Sequence, residues 1–121
     1  MADNLLPGPA QLPLFSLWME TSKWLLQVTE KFPRHRRFSL TNRMDNLALD
    51  VLEGITEASY RKDRLALLRS CNLKLTRLRI LIRLSHELGH LPHTAYDRAA
   101  VEMNEAGRMI GGWIKQCQKK A

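Results

Sequence analysis

The chain has 121 residues, the size of a single domain with one hydrophobic core and no dividing linker. Its 19 lysines and arginines outnumber 12 acidic residues, and the formal net charge of +7 is typical of proteins that meet polyanions. No apolar run is long enough to span a membrane, the N-terminus lacks the basic run of a secretory signal, and the two cysteines, Cys71 and Cys117, lie far apart. We therefore expect a cytoplasmic protein without membrane association, encoded by a bacterium or by a phage in a bacterial host.

The first half of the chain predicts an irregular arm followed by two helices. Residues 1–13 contain three prolines and predict the arm, so the folded domain is expected to span residues 14–119. A first helix is predicted over residues 15–31 and a second over residues 40–60, with Ser39 as its N-cap. The face of the first helix that should be buried holds Leu14, Trp18, Leu25 and Phe32, and that of the second holds Leu40, Met44, Leu47, Val51, Ile55 and Ala58.

The third predicted helix, residues 62–88, has two apolar stripes rather than one. The first stripe, which should face the core, holds Leu67, Leu68, Cys71, Leu75, Leu78 and Ile82. At 100° per residue, Leu73, Ile80 and Leu84 form a second stripe well away from the first. A helix in a monomeric bundle needs only one buried stripe, so the second predicts a surface that another subunit covers.

The fourth helix is predicted over residues 95–119, where Thr94 and Asp97 form a capping box at its start. Its inner face holds Tyr96, Ala99, Met103, Ala106, Ile110, Ile114 and Cys117. Nothing alternates with the period of two that marks a strand. The chain is therefore predicted to be all-α, an antiparallel up-down-up-down four-helix bundle with short connections.

Two glycines of the fourth helix, Gly107 and Gly111, are four residues apart and so share a face. A glycine costs a helix about 1 kcal/mol relative to alanine, so a packing reason is expected. Close approach of another helix backbone is one reason, either within the bundle or between subunits. Tolerance of a bulky neighbour such as Trp113 is the alternative.

The whole net charge lies between residues 61 and 83, which contain eight basic residues and a single acid, Asp63. The predicted binding residues in this segment are Arg61, Lys62, Arg69, Lys74, Arg77, Arg79 and Arg83, and a second basic cluster holds Arg34, Arg36, Arg37 and Arg43. Arginine suits phosphate because its planar fork donates two parallel hydrogen bonds. No aromatic residue lies between Tyr60 and Tyr96, which favours phosphate contacts over base stacking. The alternative is pairing with an acidic strip on the second helix, made by Asp50, Glu53 and Glu57.

The segment "SHELGH" contains a literal H-E-x-x-H, the pattern in which two histidines hold zinc and a glutamate activates water. Gly89 and Pro92 should end the helix where both histidines would have to share a face. We therefore predict helix termination here and no catalytic residue, metal or cofactor. Cys71 and Cys117 lie on apolar faces and are predicted core residues.

Three stretches carry a resemblance to a known family: "FPRHRRFSLTNRMDNLALDVLEGITEA", "NLKLTRLRILIRL" and "AGRMIGGWIKQ". Together they resemble the accessory variability protein (Avd) of diversity-generating retroelements, within the wider four-helix family that includes proteins encoded in ribosomal RNA intervening sequences. The resemblance implies a non-enzymatic protein that assembles into a ring-shaped homopentamer. It also implies binding to the element's reverse transcriptase and to template RNA or other nucleic acid, in support of mutagenic complementary DNA synthesis. The alternative is a scaffold of the intervening-sequence type that binds protein partners or ribosomal RNA.

Overall fold

The computed structural model describes residues 12–120. This part of the chain forms four long α-helices and no strand: α1 (Pro13–Thr29), α2 (Asn42–Tyr60), α3 (Leu65–Glu87) and α4 (His93–Lys120). The all-α prediction is confirmed. Most of the predicted arm lies outside the described residues, and α1 begins at the arm's last residue, Pro13. None of these helices is both long and apolar enough to cross a membrane.

The helices pack in chain order, and α1 also packs against α4, so the bundle closes. Their directions follow from contacts near the helix ends. The start of α3 contacts the end of α4 through Arg64 and Trp113, and the end of α3 contacts the start of α4 through His86 and Tyr96. Met44 near the start of α2 contacts Ser85 near the end of α3, and Val51 further along α2 contacts Cys71 nearer the start of α3. The start of α1 lies beside the end of α4, and Trp24 near the end of α1 contacts Arg98 near the start of α4. Each helix is therefore antiparallel to both neighbours, as an up-down-up-down bundle requires.

The core is formed by the faces that hydrophobic spacing predicts. Trp18 is fully buried, and its indole Nε1 donates a 2.8 Å hydrogen bond to the Ala48 carbonyl, which joins α1 to α2. The buried hydroxyl of Thr21 donates to Glu102 of α4 at 2.7 Å. A bonded hydroxyl in the core avoids the penalty of an unsatisfied polar group, so these contacts fix the position of α1 without weakening the core.

The entry into α2 differs from the prediction. Ser39 is not an N-cap, because it lies within a π-helical turn (Arg37–Thr41) that follows a short 3₁₀ turn (Arg34–Arg36). The residue before α2, Thr41, has helical dihedral angles of −56° and −54° rather than the extended conformation of a capping residue. The chain thus enters α2 from preceding helical turns.

The other two boundaries shift by two or three residues. Arg61 is extended, and α3 begins at Leu65 rather than at Lys62. The last helix begins at His93, so Thr94 lies within its first turn and does not precede it as a cap. The prediction that Gly89 helps to end α3 is confirmed. Gly89 adopts a positive φ of 81°, a conformation that glycine reaches without strain.

At Gly54, α2 lies so near α3 that a Cβ atom would collide with Cys71 Sγ of α3. Cys71 is 2% exposed, which confirms its predicted place in the core, and its thiol lies 3.9 Å from the Val51 carbonyl. Burial raises the pKa of Cys71 to about 11, so the thiol stays protonated and unreactive at neutral pH. Cys117 is only half-buried.

We expect Gly54→Ala to destabilise the protein. Overpacking against Cys71 costs about 1–3 kcal/mol, which exceeds the gain of roughly 1 kcal/mol in helix propensity. The free energy of unfolding, measured by urea denaturation, should fall. The matched control is Gly112→Ala, because a Cβ at this exposed helical position meets nothing within 4 Å and should be neutral or stabilising.

A second control identifies the colliding atom. In a Cys71→Ala background the sulfur is gone, so Gly54→Ala should cost less than it does in the natural chain. Equal costs in both backgrounds would show that the contact with Cys71 does not explain the glycine.

Candidate functional site

The third helix has opposite faces of different character. Leu68, Cys71, Leu75, Leu78 and Ile82 are buried, whereas the second predicted stripe faces outward: Leu73, Ile80 and Leu84 are 53%, 62% and 44% exposed. Arg69 and Arg77 are exposed as well, and their spacing from Leu73 places them on this outward face. We call Arg69, Leu73, Arg77, Ile80 and Leu84 the outer face of α3. It carries both aliphatic and cationic side chains.

Three of the predicted binding cations form ion pairs. The pairs are Arg61 with Glu57 at 2.8 Å, Lys74 with Asp50 at 3.7 Å, and Arg83 with Glu87 at 2.8 Å. The acidic strip therefore neutralises part of the basic segment through Asp50 and Glu57, as the alternative interpretation held. Such exposed pairs contribute only about 0.2–1 kcal/mol, so these cations can exchange a carboxylate for a phosphate at low cost.

Arg79 has a different role from the one predicted for it. Its Nη1 donates to Asn104 Oδ1 at 2.8 Å and its Nη2 donates to the Met103 carbonyl at 2.7 Å, so the guanidinium joins α3 to α4. A Cβ at Gly107 would lie 2.8 Å from Arg79 Nη2. Within this chain, Gly107 thus makes room for a side chain rather than for a helix backbone.

Gly111 has nothing within 4 Å of the position that its Cβ would take. No close packing within the bundle explains this glycine. A role for Gly107 and Gly111 at a contact between subunits stays a prediction.

Four of the cations without an ion pair in the described chain lie on α2, on α3 or in the connection between these helices. Arg69 and Arg77 belong to α3, Arg43 belongs to α2, and Lys62 lies in the connection between the two helices. The neighbouring Arg64 is not a free cation of the same kind, because its guanidinium lies over the Trp113 ring at 5.5 Å. The available charge is therefore smaller and more dispersed than the basic segment alone indicates.

A groove of about 430 Å³ runs along the seam between α2 and α3. Its lining, which we call the α2–α3 groove, consists of Arg43, Asn46, Leu47, Asp50, Arg77, Ile80 and Leu81. The groove combines an aliphatic floor with an arginine from each helix. Arg43 and Arg77 are 34 positions apart in sequence, and only the packing of α2 on α3 brings them to the same groove.

The second predicted basic cluster is divided by the fold. Arg36 donates from Nε to His90 Nε2 at 3.1 Å and so connects the α1–α2 turn to the α3–α4 turn. Arg34 and Arg37 are exposed and line a polar pocket of about 650 Å³ at the end of α1. Asp45 also lines this pocket and accepts a 2.6 Å hydrogen bond from the buried Thr29 hydroxyl.

The H-E-x-x-H segment does not form one helical face, because α3 ends at Glu87 and His90 lies beyond the turn at Gly89. His86 stacks on Tyr96 with ring centroids 4.3 Å apart, and the Nε2 of His90 accepts from Arg36. The described residues contain no group of three potential metal ligands. The segment contains the end of α3 and the turn that follows it, so helix termination here is confirmed.

Sequence comparison identifies the family of the chain. The family model described as bAvd-like matches residues 19–117, which includes nearly all of the bundle. The chain belongs to the bAvd-like family, and the resemblance to the accessory variability protein is confirmed. No curated protein matches the sequence.

We expect Arg79→Ala to lower the free energy of unfolding by about 1–2 kcal/mol, because it removes two charge-assisted hydrogen bonds between α3 and α4. The matched control is Arg69→Ala, which removes an exposed cation on the same helix and should change stability by less than about 0.5 kcal/mol. Chemical denaturation monitored by circular dichroism measures both. Equal effects would contradict the structural role of Arg79.

The surroundings of His90 predict that the stability of the protein depends on pH. Burial lowers the pKa of His90 from 6.5, and electrostatic interactions with Arg36 and His35 lower this pKa further. The unfolded chain then binds the proton more tightly, so the free energy of unfolding falls as the pH drops through 6.5 and below.

Melting temperatures recorded between pH 7.5 and pH 5 measure this effect. His90→Gln keeps a hydrogen-bond acceptor that does not titrate, so this variant should lose part of the pH dependence. His93→Gln, which changes a histidine of α4 that pairs with Asp97, is the control and should retain the part due to His90. Identical pH profiles for the natural chain and His90→Gln would contradict the prediction.

Proposed function

We propose that this bAvd-like protein is a non-catalytic accessory protein of a diversity-generating retroelement. It binds the element's reverse transcriptase and template RNA in the bacterial cytoplasm, and it supports mutagenic complementary DNA synthesis. The observation that carries the proposal is the family match over residues 19–117, because it covers the outer face of α3 together with the rest of the bundle. The cationic and aliphatic character of that outer face supports binding to partners of both kinds.

The chain assembles into a ring-shaped homopentamer in this proposal. Exposed aliphatic side chains at Leu73 and Leu84 support a subunit contact, because an apolar stripe on a helix is stabilised when another surface covers it. A cyclic ring uses two different surfaces of each subunit, one for each neighbour. Repetition around a ring would multiply the modest charge of one subunit into an extended field that attracts RNA.

The template RNA contacts the protein through phosphates in this proposal. Arg69 has no ion pair among the described residues and is exposed on the outer face of α3. Arg34, Arg37 and Lys62 are exposed cations elsewhere on the surface. Since neither the outer face of α3 nor the α2–α3 groove contains an aromatic residue, the contacts should carry little sequence preference.

Binding of a single-stranded RNA should therefore depend strongly on salt. If six to ten phosphates are contacted, the affinity falls roughly 10³- to 10⁵-fold between about 50 and 200 mM salt. The triple variant Arg37→Gln, Lys62→Gln, Arg69→Gln should bind more weakly and reduce the slope of log affinity against log salt by about 2 per subunit. Fluorescence anisotropy with a labelled RNA measures both quantities.

The matched control for this triple variant removes the same number of charges elsewhere, through Lys31→Gln, Lys115→Gln and Lys119→Gln. These lysines are exposed and lie outside α2 and α3. The control should bind more tightly than the variant of Arg37, Lys62 and Arg69. Salt-insensitive binding, or an equal loss in both variants, would contradict phosphate contacts at these three cations.

Co-purification with the reverse transcriptase encoded next to this chain tests the protein partner directly. The mass of the assembly then tests the subunit number, since each chain has a mass of 14.0 kDa. A gene position beside a reverse transcriptase and a template repeat supports the retroelement role, whereas a position within a ribosomal RNA gene supports the intervening-sequence scaffold.

A further inference from the structure

The α2–α3 groove has two cations that the chain itself leaves available. Neither Arg43 nor Arg77 has an ion pair or a side-chain hydrogen bond to another described residue, and both are exposed. The carboxylate that lines the same groove, Asp50, is already paired with Lys74 at 3.7 Å. The groove therefore presents a net positive charge to an incoming partner.

The floor of the groove is aliphatic rather than polar. Leu47 and Leu81 are half-buried, and Ile80 is 62% exposed. Removal of such side chains from water stabilises a complex by about 25 cal/mol for each Å² of apolar surface buried. A sugar-phosphate backbone could pair with Arg43 and Arg77 but would not bury this floor, and no aromatic ring lines the groove to stack with a base.

Six of the eleven acidic side chains among the described residues pair with a lysine or arginine of the same chain, which argues against a second copy as the source of complementary charge. The paired acids are Glu20 with Lys23, Asp50 with Lys74, Glu57 with Arg61, Glu87 with Arg83, Glu102 with Arg98, and Glu105 with Arg108. Electrostatic complementarity therefore favours a different, acidic protein.

We propose that the α2–α3 groove binds an acidic, amphipathic segment of a protein partner. Apolar side chains of that segment pack on Leu47, Ile80 and Leu81, while its carboxylates accept hydrogen bonds from Arg43 and Arg77. Apolar anchors flanked by arginine and carboxylate pairs are a common arrangement at protein interfaces. The inference rests on the proposed function, because the partner assigned to the groove is the reverse transcriptase of the same element.

Site-specific photo-crosslinking tests this assignment in the complex of the full chain with the reverse transcriptase and its template RNA. A benzophenone side chain replaces Asn46, which is exposed and lines the groove, and in the control it replaces Ala100, which is exposed on α4. The expected product joins position 46 to a peptide of the reverse transcriptase that is rich in acidic and aliphatic residues. A product with RNA or with a second copy of this chain, or a peptide without that composition, would overturn the inference.

Charge reversal separates the groove from the general field of the protein. Arg43→Glu with Arg77→Glu should reduce the crosslink from position 46 at least tenfold, whereas Arg69→Glu with Lys62→Glu should leave most of it. An equal reduction by both pairs would overturn the inference. Circular dichroism checks that each variant is folded, and Arg43→Gln with Arg77→Gln replaces the reversed pair if it is not.

This experiment distinguishes failure of the groove assignment from failure of the proposed function. If the chain co-purifies with the reverse transcriptase but position 46 does not crosslink to it, only the groove assignment is wrong. If the chain does not bind the reverse transcriptase at all, the proposed function fails together with the groove assignment.

Discussion

The close approach of α2 to α3 at Gly54 is the contact on which the surface of this protein depends. Without a side chain at Gly54, the helix can lie directly on the Cys71 thiol. The same seam continues past Asp50 and Leu47 to Arg43, and on the other helix past Lys74 to Arg77 and Leu81. A wider spacing at Gly54 would separate the two sides of the α2–α3 groove, so the packing of Gly54 on Cys71 also determines the width of this exposed groove.

The existence of the four helices and their buried faces could be predicted from the sequence because hydrophobic spacing is a local property. Trp18, Met44, Leu78 and Ile110 each belong to a set of apolar residues with helical spacing on their own helix, and each is fully buried. The outward stripe of α3 was equally visible, since Leu73 and Ile80 fall on the face opposite the core. The turn at Gly89 could be predicted because glycine and a following proline act locally on the backbone.

What could not be predicted depends on contacts between distant parts of the chain. Serine is favoured at the N-cap, but an N-cap residue needs an extended backbone conformation. The chain enters α2 through helical turns instead, so Ser39 is not the N-cap. Gly107 has the spacing of a helix-packing glycine, yet it accommodates the guanidinium of Arg79. The glycine that does permit close helix packing, Gly54, is isolated in sequence, and its partner Cys71 is known only once α2 and α3 are docked.

The same distinction governs the charge of the candidate surface. A count along the sequence places the whole net charge between residues 61 and 83, but formal charge and available charge are different quantities. Arg79 donates to the backbone of α4, and Arg61, Lys74 and Arg83 face carboxylates of their own chain. Conversely, Arg43 lies outside that segment and is one of the available cations. The fold therefore places two arginines without an ion pair among the described residues, Arg43 and Arg77, beside the aliphatic floor of a single groove.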